Sequence, residues 1–146
     1  MNFSEASLIM SDYSEAPQLF FWFGGASRDD LDDWMAQRGL SLPDDLVDLW
    51  HELGGGDLFE SETILSPFGN PVLGDDVQGV NDLHLRHGLP PEYLLFHKGL
   101  YLSAVRLADG KYVALSYSYV PFKEYSSLED WYSDLRSEYK VTYGLR

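Results

Sequence analysis

Three β-forming runs, YLLFHKG at 93–99, LYLSAVRL at 100–107 and KYVALSYSYV at 111–120, constrain this chain more than any other feature. Asp109-Gly110 sits between the last two, and its glycine tolerates the left-handed backbone that a hairpin turn demands. An antiparallel meander follows. In the last run Val113, Leu115, Tyr117 and Tyr119 alternate with Ala114, Ser116 and Ser118, which predicts one strand with a wetter face, ended by Pro121.

Helical patterns surround these runs. Ser27 caps a first helix, with Asp30 three residues on, Leu31, Trp34 and Met35 on one face and Gly39 as its stop. A second has Pro43 in its first turn and an apolar stripe of Leu46, Val47, Leu49, Trp50 and Leu53, and it ends at Gly54-Gly55-Gly56. A short strand is expected over Thr63–Ser66. A third helix over Asp75–His87 carries Val77, Val80 and His84 on one face, although Gly79 weakens it. The last begins at Ser126 or Ser127, with Glu129 or Asp130 completing a capping box, and turns Leu128, Trp131, Tyr132, Leu135 and Tyr139 inward. Residues 1–23, containing LIM and QLFFWF, read as an extension of strand character. The predicted class is α+β: a mostly antiparallel sheet with helices packed on it and a closing C-terminal helix.

At 146 residues, 45% of them hydrophobic and 15% aromatic, the chain has material for one packed core, and a single domain over 1–146 is expected. It contains no cysteine, so disulfides and thiolate metal sites are excluded. No apolar run approaches the ~18 residues that span a bilayer, and the first residues lack a basic leader. The expectation is a cytoplasmic protein.

The formal net charge of −14 argues against nucleic acid or an anionic membrane as a direct partner. Its distribution narrows the choice further. From Asp29 to Glu62 the acids are Asp29, Asp30, Asp32, Asp33, Asp44, Asp45, Asp48, Glu52, Asp57, Glu60 and Glu62, against one base, Arg38. A surface of one sign steers a partner of the other, so a basic protein fits.

Catalytic signatures are missing from the residue pattern. The histidines, His51, His84, His87 and His97, form no H-E-x-x-H arrangement, and the glycine triplet follows a helix instead of opening one, the wrong polarity for phosphate capture. His84 and His87, three apart, would share a helical face and with Asp82 could bring three ligand atoms near a metal ion, but they read as ordinary surface residues near a helix end. His51 beside Glu52 reads the same way. Asp57, Glu60 and Glu62 lack the alternating spacing of a calcium loop. No enzymatic activity, cofactor or metal is expected. Tyr117, Tyr119, Tyr125, Tyr132 and Tyr139 divide between core packing and an adhesive surface, with Tyr117, Tyr119 and Tyr125 as candidate anchors.

The stretch GLSLPDDLVDLWHELGGGDLFESETILSP resembles the signature of the SUKH superfamily, in which a helix opened by Leu-Pro leads through an asparagine-glycine-glycine type turn to a short strand. LPPEYLLFHKG, LYLSAVRLADGKYVALSYS and SSLEDWYSDL resemble its C-terminal half in order and spacing, so the likeness runs from about Gly24 to Glu138. Gly54 stands where that family often has asparagine, a change that keeps the left-handed turn accessible. The resemblance implies an α+β fold without a shared catalytic set. Bacterial members are immunity proteins encoded beside polymorphic toxins, often nucleases, while eukaryotic relatives are regulatory adaptors. The expected function is neutralisation of a cognate, basic toxin through Asp29, Asp30, Asp32, Asp33, Asp44, Asp45, Asp48, Glu52, Asp57 and Glu60, with the three tyrosines as anchors; an adaptor binding a cellular protein is the alternative.

Overall fold

In the computed structural model, which describes residues 7–146, the three β-rich runs form the centre of a seven-stranded, wholly antiparallel sheet. Its strands are β1 (Phe20–Trp22), β2 (Gly56–Leu58), β3 (Glu62–Ile64), β4 (Tyr93–Lys98), β5 (Leu102–Arg106), β6 (Tyr112–Leu115) and β7 (Pro121–Tyr125). Spatial order equals chain order, so every neighbour is reached without a crossover. Of the helices, α1 (Leu8–Glu15) precedes β1, α2 (Arg28–Arg38) and α3 (Asp44–Glu52) lie between β1 and β2, α4 (Val77–Arg86) lies between β3 and β4, and α5 (Leu128–Ser137) and the short α6 (Lys140–Tyr143) follow β7. The α+β architecture with a helix closing the C-terminal side is as expected.

Local signals set most helix ends. Ser27 accepts from Asp30 N, Ser127 from Asp130 N, and Gly39 ends α2 in the left-handed conformation. Gly79 lies inside α4, where the Asp76 carboxylate takes its N–H and caps the helix. The inward faces of α3 and α5 join one buried cluster with β4, β5 and β6, and Trp34, Trp50, Phe96 and Trp131 are among its largest members.

Three expectations are corrected. Residues 8–15 are helical, not strand-like: Ser7 caps α1 on Met10 N, and Asp12 on its inner face is locked to α5 by Arg136 Nε at 2.6 Å, Arg136 Nη2 at 3.0 Å and Tyr132 OH at 2.7 Å. A contact spanning more than a hundred residues leaves no local pattern. Among the described residues 7–23 only Phe20–Trp22 is strand, after a 3₁₀ turn at Pro17–Leu19; residues 1–6, on which part of that expectation falls, lie outside the described region. The run at 111–120 is also not one strand. It stops at Leu115, all four residues of β6 are buried, and Pro121 opens β7 instead of ending the sheet. As the first residue of an edge strand, a proline forfeits no ladder bond.

The β2–β3 turn is strained and held by packing. Phe59 and Glu60 both have positive φ, 53° and 70°, unusual for residues with side chains. Phe59 is 1% exposed and stacks on Tyr139 at 4.7 Å and on Tyr132 and Tyr143 at 6.2 Å. Burial of that ring against α5 and the following turn offsets the backbone cost.

Candidate protein-binding surface

The acidic helices do not present all their carboxylates alike. Asp29, Asp30, Asp32 and Asp33 on α2 are exposed, as are Asp44 and Glu52 on α3 and Glu60 in the β2–β3 turn. Asp29 and Asp30 occupy the first turn of α2 and Asp44 the first turn of α3, where the helix dipole favours them. Asp48 is half-buried and paired with Arg28, so part of its charge is neutralised across the α2–α3 seam.

Asp45 is a correction to the binding set. It is half-buried and accepts from its neighbour Leu46 N at 3.0 Å, from Leu128 N at 2.8 Å and from the Tyr112 hydroxyl, joining α3 to α5 and β6. With its oxygens occupied, it is a structural tie. Tyr112, buried beside this carboxylate, has its hydroxyl pushed far above the ordinary range, first by desolvation and then by Asp45.

The tyrosines separate as well. Tyr117 is exposed and donates to Gly99 O at 2.6 Å, within the turn that follows β6. Tyr119 takes φ 65° in the same turn, is half-buried, and meets His84 Nδ1 at 2.7 Å through its hydroxyl. Burial lowers the His84 pKa first, and His87 and Lys98 lower it further, so the neutral imidazole facing Tyr119 is favoured. Tyr125 is 7% exposed and bonded to Asp134, which removes it from the candidate anchors.

Sequence reasoning missed a groove between β1 and the loop joining β3 to α4. Phe21, Trp22, Phe23, Asp57, Phe68, Gly69, Asn70, Leu73 and Asp75 line a space of about 310 Å³. Phe21 is 67% exposed, Phe68 53% and Leu73 68%, a concentration of open apolar side chains that isolated surface residues do not produce. The loop is pinned at both ends: Ser66 N donates to Asp75 O and Val77 N to Ser66 O. Gly69 is needed because a Cβ there would collide with the Asp75 carbonyl. Lys98 Nζ holds the loop's far side by donating to Gly74 O at 2.6 Å.

Phe68 also borders a neighbouring depression lined by Asp30, Asp33, Trp34, Gln37, Arg38 and Pro67. Through this ring the aromatic groove continues into the acidic face of α2. Arg38 lies over Trp34 at 4.6 Å and donates to Gln78 Oε1 at 2.8 Å, so this cation is turned onto its own protein. Burial, followed by the nearby Asp57 charge, raises the Asp75 pKa, with Lys98 opposing. One signal for the groove is legible in the residues: SPFGNPVLGDD places Phe68, Val72 and Leu73 in a proline- and glycine-rich loop, where a large apolar side chain has no helix or strand face to bury it.

A second constellation, Ser103, His97 and Glu62, was also missed. Ser103 Oγ lies 2.8 Å from His97 Nδ1, and His97 Nε2 lies 2.8 Å from Glu62 Oε1. The order is that of a nucleophile, base and orienting acid. Yet all three residues are buried, and Trp131 Nε1 donates to Ser103 Oγ at 2.8 Å. The consistent tautomer runs Trp131 N–H to Ser103, Ser103 O–H to His97 Nδ1, and His97 Nε2–H to Glu62. Burial lowers the His97 pKa, with Glu62 opposing. No substrate reaches the hydroxyl in this packing, so the chain acts to satisfy polar groups inside the core.

The alternative metal sets are not assembled. Glu62 is withdrawn into the core while Glu60 is exposed, and Asp57 accepts from Thr63 Oγ1 at 2.9 Å. Among the described residues no three His, Asp or Glu side chains are placed to hold an ion. His51 has its Nδ1 2.8 Å from Ala26 O, fixing the turn before α2 rather than pairing with Glu52. No helix is long and apolar enough to cross a membrane among these residues. Neither the family models nor the curated proteins compared with this chain gave a match.

Proposed function

We propose that this protein is a cytoplasmic immunity protein of SUKH type that binds a basic, nuclease-type toxin and occludes its substrate-binding surface. The observation that carries this reading is the continuity through Phe68 of an exposed aromatic groove with the acidic face of α2. Tight protein complexes combine a few aromatic anchors with a charged surround that guides encounter. Asp29, Asp30, Asp32 and Asp33 supply the field, and Phe21, Phe68 and Leu73 the desolvated contact. A toxin that binds nucleic acid carries the cationic surface such a field attracts. Asp44, Glu52 and Glu60 add to the field, whereas Asp45 and Tyr125 act in the fold.

Coexpression with the product of an adjacent toxin gene tests the proposal. Growth should be restored by this protein and lost on simultaneous reversal of Asp29, Asp30, Asp32 and Asp33 to lysine in a variant whose thermal unfolding is unchanged. Association should slow steeply with salt, because the Debye length is only ~8 Å at physiological ionic strength. Capture of a non-toxic cellular protein without growth rescue would favour an adaptor.

A further inference from the structure

Both charged residues lining the groove beside Phe21 are acidic, and the rest of its wall is mainly apolar. Asp57 receives the Thr63 hydroxyl, and neither Asp57 nor Asp75 is in an ion pair among the described residues. Lys98, whose charge acts on Asp75, directs its ammonium to the Gly74 carbonyl. Filling the groove with a purely apolar group would desolvate two carboxylates that have no ion-pair partner and only the Lys98 ammonium, engaged on Gly74 O, nearby, an expensive outcome. A bare cation would leave Phe21, Phe68 and Leu73 in water. The occupant that answers both requirements has an apolar stem and a positive head.

We propose that this groove is a socket for one arginine side chain, carried between apolar neighbours on a basic partner, with its methylenes along Phe21, Phe68 and Leu73 and its guanidinium meeting Asp57 and Asp75. Arginine fits better than lysine because its planar head stacks on aromatic faces, engages two carboxylates at once and is less strongly hydrated. The volume of about 310 Å³ lies at the lower limit of small-molecule pockets, suited to a single side chain. The socket rests on the reading above only in requiring that the partner be basic. It makes the groove the anchor and the α2 carboxylates the steering field.

The test uses the full chain and a tripeptide, acetylated and amidated, with arginine between two leucines. Amide and aromatic NMR shifts should move at Phe21, Asp57, Phe68, Leu73 and Asp75. The same peptide with citrulline, which keeps the shape and removes the charge, should bind at least about tenfold more weakly, and a lysine version should fall between them. The double variant Asp57→Asn/Asp75→Asn should abolish the preference for arginine over citrulline. Phe68→Ala, at an exposed position where folding is little affected, should weaken the arginine peptide about tenfold or more. Equal binding of arginine and citrulline peptides, shifts confined to another surface, or no shift with either would overturn the socket. The assay contains no toxin, so a positive result followed by failed growth rescue discards the immunity reading and keeps the socket. Rescue with no peptide preference does the reverse.

Discussion

Removing Glu62 measures how much of this fold rests on one buried carboxylate. Glu62 is 1% exposed and accepts from His97 Nε2 at 2.8 Å, Leu100 N at 3.1 Å and Tyr139 OH at 2.6 Å. A buried donor left without a partner costs about 1–3 kcal/mol. His97 is fully buried and incurs that cost in full, while Leu100 and Tyr139 border solvent and recover part of it. Glu62→Ala should therefore destabilise by about 2–4 kcal/mol, a fall in Tm on the order of 6–12 °C for a chain of this length. Gly99 supplies the internal control. A Cβ at that position would collide with the Glu62 carboxylate, which cannot swing aside without breaking the bonds just named. Gly99→Ala should thus cost as much as Glu62→Ala in the native background, but under about 1 kcal/mol once Glu62 has been replaced by alanine and the space is free. Thermal unfolding of the four proteins, followed by circular dichroism, gives the coupling energy. Additive losses would refute the claim that Gly99 is small because Glu62 sits on it.

Other outcomes follow from the same physical reasoning. Asp12→Ala should cost about 3–5 kcal/mol, because it strands the Arg136 charge between α1 and α5, and the double change Asp12→Leu/Arg136→Met should recover most of that in denaturant titration. Asp45→Ala should lower Tm by several degrees through loss of the bonds to Tyr112 and Leu128, whereas exposed Asp44→Ala should leave it nearly unchanged. Burial holds the His97 pKa below its ordinary 6.5, so the unfolded chain takes up this proton first. The stability this residue contributes is complete above about pH 6.5 and is lost as pH falls toward the folded value. The decline in Tm between about pH 7 and 5.5 should flatten in His97→Asn, and an unchanged slope would show that another group governs it.

Elements carried by local chemistry are legible in the residues themselves. Ser27, Gly39, Asp109-Gly110 and Ser127 act within a few residues of their own positions, and the apolar stripes of α3 and α5 state which face turns inward. The same locality explains the errors. Residues 8–15 are helical partly because Asp12 meets Arg136, far away in sequence, and the run after Leu115 turns at Ser116, whose Oγ accepts from Ser118 N and Val120 N, while Tyr117 and Tyr119 tie that turn to the distant Gly99 and His84.

Acidity and aromatic content are sums over residues, and the sequence alone determined that this chain carries a strong negative field. Which carboxylates project that field was a tertiary decision. Asp45 and Glu62 have the same local chemistry as Asp44 and Glu60, yet the first pair is drawn inward by donors from other elements and the second faces water. The groove also exists only because a loop anchored at Ser66 and Asp75 holds Phe68 and Leu73 beside a strand that begins more than forty residues earlier. A hydrogen-bond partner or a groove wall is a relation between distant segments, and only folding brings those segments together.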